Sequence, residues 1–110
     1  MESLGAFEQL LLFAILRLGD DAYGVTIRET LEERTGRPVS SGAIYTALGR
    51  LEARGLVSSW VGEPTAGRAG RPPRYYRVEP EGARSLLAAY SGLRSLAGGT
   101  LPRLTELAKG

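Results

Sequence analysis

The chain has 110 residues, with 14 Lys and Arg against 12 Asp and Glu, and neither histidine nor cysteine. That length fits one domain with a modest core. Without Cys there is no disulfide framework or thiolate metal site, and without His the commonest general base and zinc ligand is missing. No catalytic centre, cofactor or metal is therefore expected. The formal net charge of +2 is unevenly spread: residues 1–33 hold two basic and seven acidic side chains, residues 34–77 eight and two, and residues 78–110 four and three.

The opening Met-Glu-Ser lacks the cationic stretch of a secretion signal, and the apolar run over 10–16 is far shorter than the roughly 20 residues that span a bilayer. A cytoplasmic protein with no membrane partner is expected. Residues 4–18 have helical length, and Phe7, Leu11, Ala14, Ile15 and Leu18 form one stripe. Leu10, Leu12, Phe13 and Leu16 fill much of the remaining surface. A helix apolar nearly all round is buried on several sides. It is either the central helix of a monomer's core or, as so small a domain favours, a helix whose spare face meets another subunit.

Gly19-Asp20-Asp21 breaks the pattern, and either Asp could cap the helix predicted over 23–35, with Ile27 and Leu31 inward and Gly36 at its end. After the short turn Arg37-Pro38-Val39 comes the stretch that organises the chain, a helix predicted over about 40–55. At about 100° per residue, Ile44, Leu48 and Leu51 share one face, while Thr46, Gly49, Arg50 and Ala53 share another that is small, polar and cationic. Such a face can lie on a flat partner or enter a major groove, which is wide enough for a helix. Two helices joined by a few residues make a helix-turn-helix.

Gly55 suits the left-handed position after a helix. Residues 56–61 then read as a strand, and Arg74–Val78 as a second. Between them runs a Gly- and Pro-rich loop, with Arg68 and Arg71 inside it and no acid between Glu63 and Glu79. Helix, strand, basic loop and strand in this order make a winged helix-turn-helix, so the expected fold is mainly α with a small β-hairpin. The basic excess coincides with the recognition helix and the wing, which points to double-stranded DNA. A winged helix used only for protein–protein contact is the alternative, although it has less need of an arginine wing.

Beyond Val78, Glu79-Pro80-Glu81-Gly82 has the Pro and acids of a helix entrance. Leu86, Leu87, Tyr90, Leu93 and Leu96 then recur at spacings of three and four. Gly98-Gly99 should bend or break this helix, and Thr100 could cap a last short one carrying Leu101, Leu104 and Leu107. The winged unit is complete by residue 78, so the amphipathic segment over 79–110 is expected to meet its symmetry mate in a homodimer. The expected interface is Phe7, Leu11, Ile15, Leu86, Tyr90, Leu93 and Leu96.

Among the candidate DNA residues, Ser40 and Ser41 are helix caps that could also donate to phosphate. Tyr45, at the edge of the apolar stripe, is either a half-buried core ring or a phosphate donor through its hydroxyl. Arg50 is the candidate for reading guanine. Trp60, Tyr75 and Tyr76 are expected to pack the wing strands.

These residues resemble the PadR-like transcriptional regulators. The resemblance runs through Tyr23-Gly24, Ser41-Gly42-Ala43-Ile44-Tyr45, Leu48, Leu51-Glu52, Gly55-Leu56-Val57, Gly70-Arg71-Pro72, Tyr75-Tyr76-Arg77 and Glu81-Gly82, over roughly residues 7–90. It implies a homodimeric winged-helix repressor that acts on a pseudo-palindromic operator, dimerised through its first and C-terminal helices. Ser41, Gly42, Tyr45 and Thr46 would then lie near DNA, and Arg68, Arg71 and Arg74 at the wing. Some members bind flat aromatic compounds between subunits, so a small hydrophobic effector is also implied, with Trp60 or Tyr90 as its wall. Two positions depart from the family pattern: Ala22 stands where many members have histidine, and Thr46 where a proline is common.

Overall fold

The computed structural model describes residues 3–63 and 72–110. Its elements are α1 (Ala6–Leu18), a 3-10 turn (Gly19–Asp21), α2 (Gly24–Thr35), α3 (Ser41–Ala53), β1 (Val57–Val61), β2 (Arg74–Val78), α4 (Pro80–Ala97) and α5 (Leu101–Ala108). Three helices followed by a hairpin and a C-terminal helical arm form a winged helix-turn-helix.

Local chemistry sets most of the boundaries. Glu8, three residues after the N-cap Gly5, accepts that glycine's N–H at 2.8 Å and opens α1. Both aspartates expected to cap α2 are taken up in the 3-10 turn, so Tyr23 becomes the N-cap and its N–H donates to Thr26 Oγ1 at 3.0 Å. Gly36 ends α2 at φ 71°, where a side chain would be strained. Ser40 caps α3, its Oγ accepting the Ala43 N–H at 3.1 Å. At the far end of α3 the Leu56 N–H reaches Leu51 O and the Gly55 N–H reaches Glu52 O, both at 2.9 Å, with Gly55 left-handed at φ 76°. This is the Schellman pattern, and its companion apolar contact, Leu51 with Leu56, carries the chain from helix into core.

The core is one cluster: Leu11, Leu12, Ala14 and Ile15 of α1, Ile27 and Leu31 of α2, and Ile44, Ala47, Leu48 and Leu51 of α3. Leu56, Val57, Tyr76 and Leu86 complete it with Leu4 and Ala22. β1 and β2 pair antiparallel from Val57↔Val78 to Val61↔Arg74. A bridge between Tyr23 and Tyr75, with the Tyr76 N–H donating to Ala22 O at 2.9 Å, adds a short third rung. Ala22 is fully buried under that rung, so the position carries packing here.

The core does not stop at the hairpin. Gly82 and Leu86 of α4 are buried against it. Beyond Tyr90 the arm leaves the body: the chain measures 52 × 32 × 21 Å with a radius of gyration of 16.2 Å, against about 13 Å for a compact domain of this length. Gly98 and Gly99, the latter at φ 80°, break the arm between α4 and α5. Thr100 stands at the N-cap of α5, but its hydroxyl donates back to Ala97 O at 2.6 Å and does not cap the new helix. Among the described residues no helix is long and apolar enough to cross a membrane.

Candidate nucleic-acid interface

Helix α3 presents the surface expected of it. Ile44, Ala47, Leu48 and Leu51 are buried, and Ser41, Gly42, Thr46, Gly49, Arg50 and Ala53 are exposed. Because every inward residue is fixed by the core, the outward face is held as a rigid, shallow ridge. Its N-terminal end is supported twice. Glu32 Oε2 accepts the Val39 N–H at 2.9 Å, which pins the turn before the helix, and Arg28 Nη1 of α2 donates to Ser41 Oγ at 3.3 Å. Arg28 was not singled out by sequence reasoning, because an exposed Arg on a polar helix face carries no periodic signal. The turn from Thr35 to Ser41 brings it beside α3.

Tyr45 lies on the surface, 53% exposed, with its hydroxyl end seated over Gly24. A Cβ on Gly24 would collide with Tyr45 Oη and come within 2.8 Å of Cζ. The Tyr23-Gly24 pair and Tyr45 thus explain one another: the missing side chain is the floor on which the ring rests at the start of α2. Arg50, one turn further along α3, is exposed and has no hydrogen-bond or ion-pair partner among the described residues. Its neighbour Arg54 instead turns inward to Glu8, 3.5 Å away.

The hairpin has two unlike faces. Inward, Val57 and Tyr76 pack on the core, and burial pushes the Tyr76 phenol above its ordinary value of 10.0; Arg74 opposes that push, while Glu52 and Tyr45 add to it. Outward, Trp60 stacks on Tyr75 at 5.8 Å, Tyr75 meets Tyr23 edge-on at 5.4 Å, and the Arg77 guanidinium lies 5.8 Å from the Trp60 ring. The three aromatics do pack the strands, although Trp60 keeps 42% of its surface in solvent. Arg74 is exposed at the base of the wing, and its Nη1 donates to Ser59 Oγ at 3.0 Å. Arg68 and Arg71 lie outside the described residues.

The residues expected at a subunit interface divide in two. Leu11, Ile15 and Leu86 are 0%, 2% and 3% exposed within their own chain, and Phe7 packs against the same core, so a second subunit cannot reach the first three. The reason is rotational: α2, α3, β2 and α4 all pack on α1 and bury Leu11, Leu12, Ala14 and Ile15, and the stripe left exposed is Leu10, Phe13 and Leu16. Tyr90, Leu93 and Leu96 are exposed as expected, joined by Leu87 and by Leu101, Leu104 and Leu107 of α5. Tyr90 meets Phe13 edge-on at 5.6 Å, so the spare stripes of α1 and α4 make one continuous apolar surface.

A groove of about 490 Å³ opens between the start of α1, the end of α2 and the turn into α3, lined by Phe7, Leu10, Leu31 and Val39 with Arg37 at its rim. Trp60, one expected wall of an effector site, does not line it; Tyr90, the other, lines a separate apolar hollow of about 260 Å³ with Phe13, Leu16, Leu86 and Leu87.

Comparison with known proteins agrees with this architecture. A Clostridium difficile protein described as a PadR family transcription regulator is 25% identical, with a TM-score of 0.70 over 90% of this chain and 99% of its own. A PadR family transcriptional regulator from Eggerthella lenta is 26% identical, with a TM-score of 0.67 over 86% of this chain and 80% of its own. A PadR-like transcription factor from Bacteroides fragilis is 27% identical, with a TM-score of 0.66 over 82% of each chain. No curated protein sequence matches significantly. The model of the transcriptional regulator PadR-like family matches residues 12–88, from the middle of α1 through the first half of α4, and the chain belongs to that family of transcriptional regulators.

Proposed function

We propose that the protein is a sequence-specific DNA-binding repressor that acts as a homodimer on a pseudo-palindromic operator in the cytoplasm. The observation that carries this reading is the exposed ridge of α3, small and polar with an Arg50 that has no partner among the described residues, beside a wing base that bears Arg74. A helix with short outward side chains can approach base edges closely, and Arg bidentate to guanine is the commonest specific contact in the major groove. Ser40, Ser41, Gly42, Tyr45 and Thr46 would lie along the phosphates and groove wall, and the wing arginines on the backbone.

The homodimer is supported by the apolar surface that runs from Leu10, Phe13 and Leu16 to Leu87, Tyr90, Leu93 and Leu96. A contiguous patch of this kind on a small chain marks an association surface, and a two-fold copy offers the matching patch. Residues 1–78 would then serve mainly in binding DNA, and residues 79–110 mainly in dimerisation. Two α3 helices related by a two-fold axis would read half-sites about one helical turn apart.

Selection of bound sequences from a random duplex pool tests this reading. The expected result is an inverted repeat with half-sites roughly 10 base pairs apart, bound with a log–log salt slope of several units, at about −0.9 per phosphate contact. No enrichment together with a slope near zero would favour the protein-binding use of the wing.

A further inference from the structure

Two Arg–Ser–Glu clusters lie on opposite faces of the hairpin, and they are wired differently. On the outer face Arg77 Nε donates to Ser58 Oγ at 3.1 Å, Ser58 Oγ donates to Glu79 Oε2 at 3.2 Å, and Arg77 also meets Glu79 directly at 3.4 Å. Arg77 is thus paired directly with a carboxylate and lies over the Trp60 ring, although its side chain stays 69% exposed. On the face towards α3, Arg74 Nη1 donates to Ser59 Oγ at 3.0 Å, and Ser59 Oγ donates to Glu52 Oε2 at 2.8 Å. No ion pair joins Arg74 directly to Glu52. The direction of the relay is unambiguous, because a guanidinium only donates, a carboxylate only accepts, and the serine has a single proton to give.

We propose that Ser59 and Glu52 are positioning and specificity residues for DNA: the serine hydroxyl holds Arg74 in its phosphate-ready direction without neutralising it, and the Glu52 carboxylate on α3 holds down affinity for non-operator DNA. The inference rests on the DNA-binding reading above. An Arg fixed before binding loses less side-chain freedom when it meets a phosphate, and immobilisation of one long side chain is a measurable cost. Glu52 is exposed on the last turn of the ridge, within the basic stretch 34–77. A carboxylate there repels every phosphate backbone alike, so its penalty is overcome only where the full set of base contacts forms, which is discrimination by a repulsive element.

The test uses the full-length protein, with anisotropy titrations against the selected operator and a scrambled duplex at three salt concentrations. Ser59→Ala should weaken both duplexes about two- to tenfold with the salt slope unchanged, and Ser59→Thr, which keeps the hydroxyl, should restore binding. Added to Arg74→Ala, Ser59→Ala should have no further effect, since it acts only through that arginine. Glu52→Gln should tighten the scrambled duplex by roughly two- to fivefold, the scale of a surface charge interaction, and lower the operator-to-scrambled ratio. A purely structural role predicts the opposite for Glu52→Gln: weaker binding to both duplexes with a lowered melting temperature. That result, or Ser59→Ala binding like the unaltered protein, overturns the inference and leaves the DNA-binding reading intact. If the unaltered protein binds neither duplex, the DNA-binding reading falls and the inference with it.

Discussion

Substitution of alanine for two glycines of the same helix should have opposite effects. Gly82 and Gly92 both lie in α4, and helix propensity alone favours Ala over Gly by about 1 kcal/mol in a helix interior. At Gly92 a Cβ would meet nothing within 4 Å, so Gly92→Ala should raise stability by most of that amount. At Gly82 a Cβ would collide with the carbonyl oxygen of Leu56 and stand 3.0 Å from its carbon and 3.1 Å from Val78 Cγ1. That carbonyl cannot retreat, because it accepts the Glu79 N–H at 2.9 Å and belongs to the segment held by the cap of α3. Overpacking against fixed backbone costs about 1–3 kcal/mol; set against a reduced propensity gain at the third residue of the helix, the net loss is about 1–2 kcal/mol. At roughly 4–8 °C per kcal/mol for a domain of this size, Gly82→Ala should melt about 5–15 °C lower and Gly92→Ala a few degrees higher. Circular dichroism melts at one protein concentration, with urea titrations beside them, give both values. If both variants shift the melting temperature in the same direction by similar amounts, the close approach of α4 to Leu56 does not hold.

Ser40→Ala removes the oxygen that accepts the Ala43 N–H and should cost about 0.5–2 kcal/mol in chemical denaturation, with Ser40→Asp close to the unaltered protein. Leu93→Glu, at a site 62% exposed within its own chain, should give a folded monomer by sedimentation, whereas Leu86→Glu, at 3%, should abolish folding; a folded dimer of Leu93→Glu would remove α4 from the interface. The Tyr76 pKa is raised by burial, so the folded state keeps this proton more tightly than the unfolded chain. Its contribution is intact below about pH 10 and is lost as pH climbs through the folded-state value. Urea midpoints from pH 8 to 11 should therefore fall more steeply for the unaltered protein than for Tyr76→Phe.

Most of the architecture is legible in linear order because it is built from local signals. The 3.6-residue spacing of Ile44, Leu48 and Leu51, the glycines at 36 and 55, the aromatic run at Tyr75-Tyr76 and the Gly98-Gly99 break each act within a few residues, and each element lies within two residues of where that pattern puts it. Sequence failed where two signals of equal strength compete. In α1 nearly every position is apolar, so periodicity cannot say which stripe is core. Only the packing of the other elements on α1 assigns Leu11 and Ile15 to the inside and leaves Leu10, Phe13 and Leu16 outside. The aspartates at 20 and 21 had the right chemistry for a cap, but the 3-10 turn used them first and passed the role to Tyr23 and Thr26. Pairwise facts across distant segments had no sequence signal at all: Tyr45 over Gly24, Arg28 beside Ser41, and Ser59 between Arg74 and Glu52. Helical and strand periods report which way a side chain points relative to its own axis; what it meets depends on how the axes cross, and that is set by the shared core.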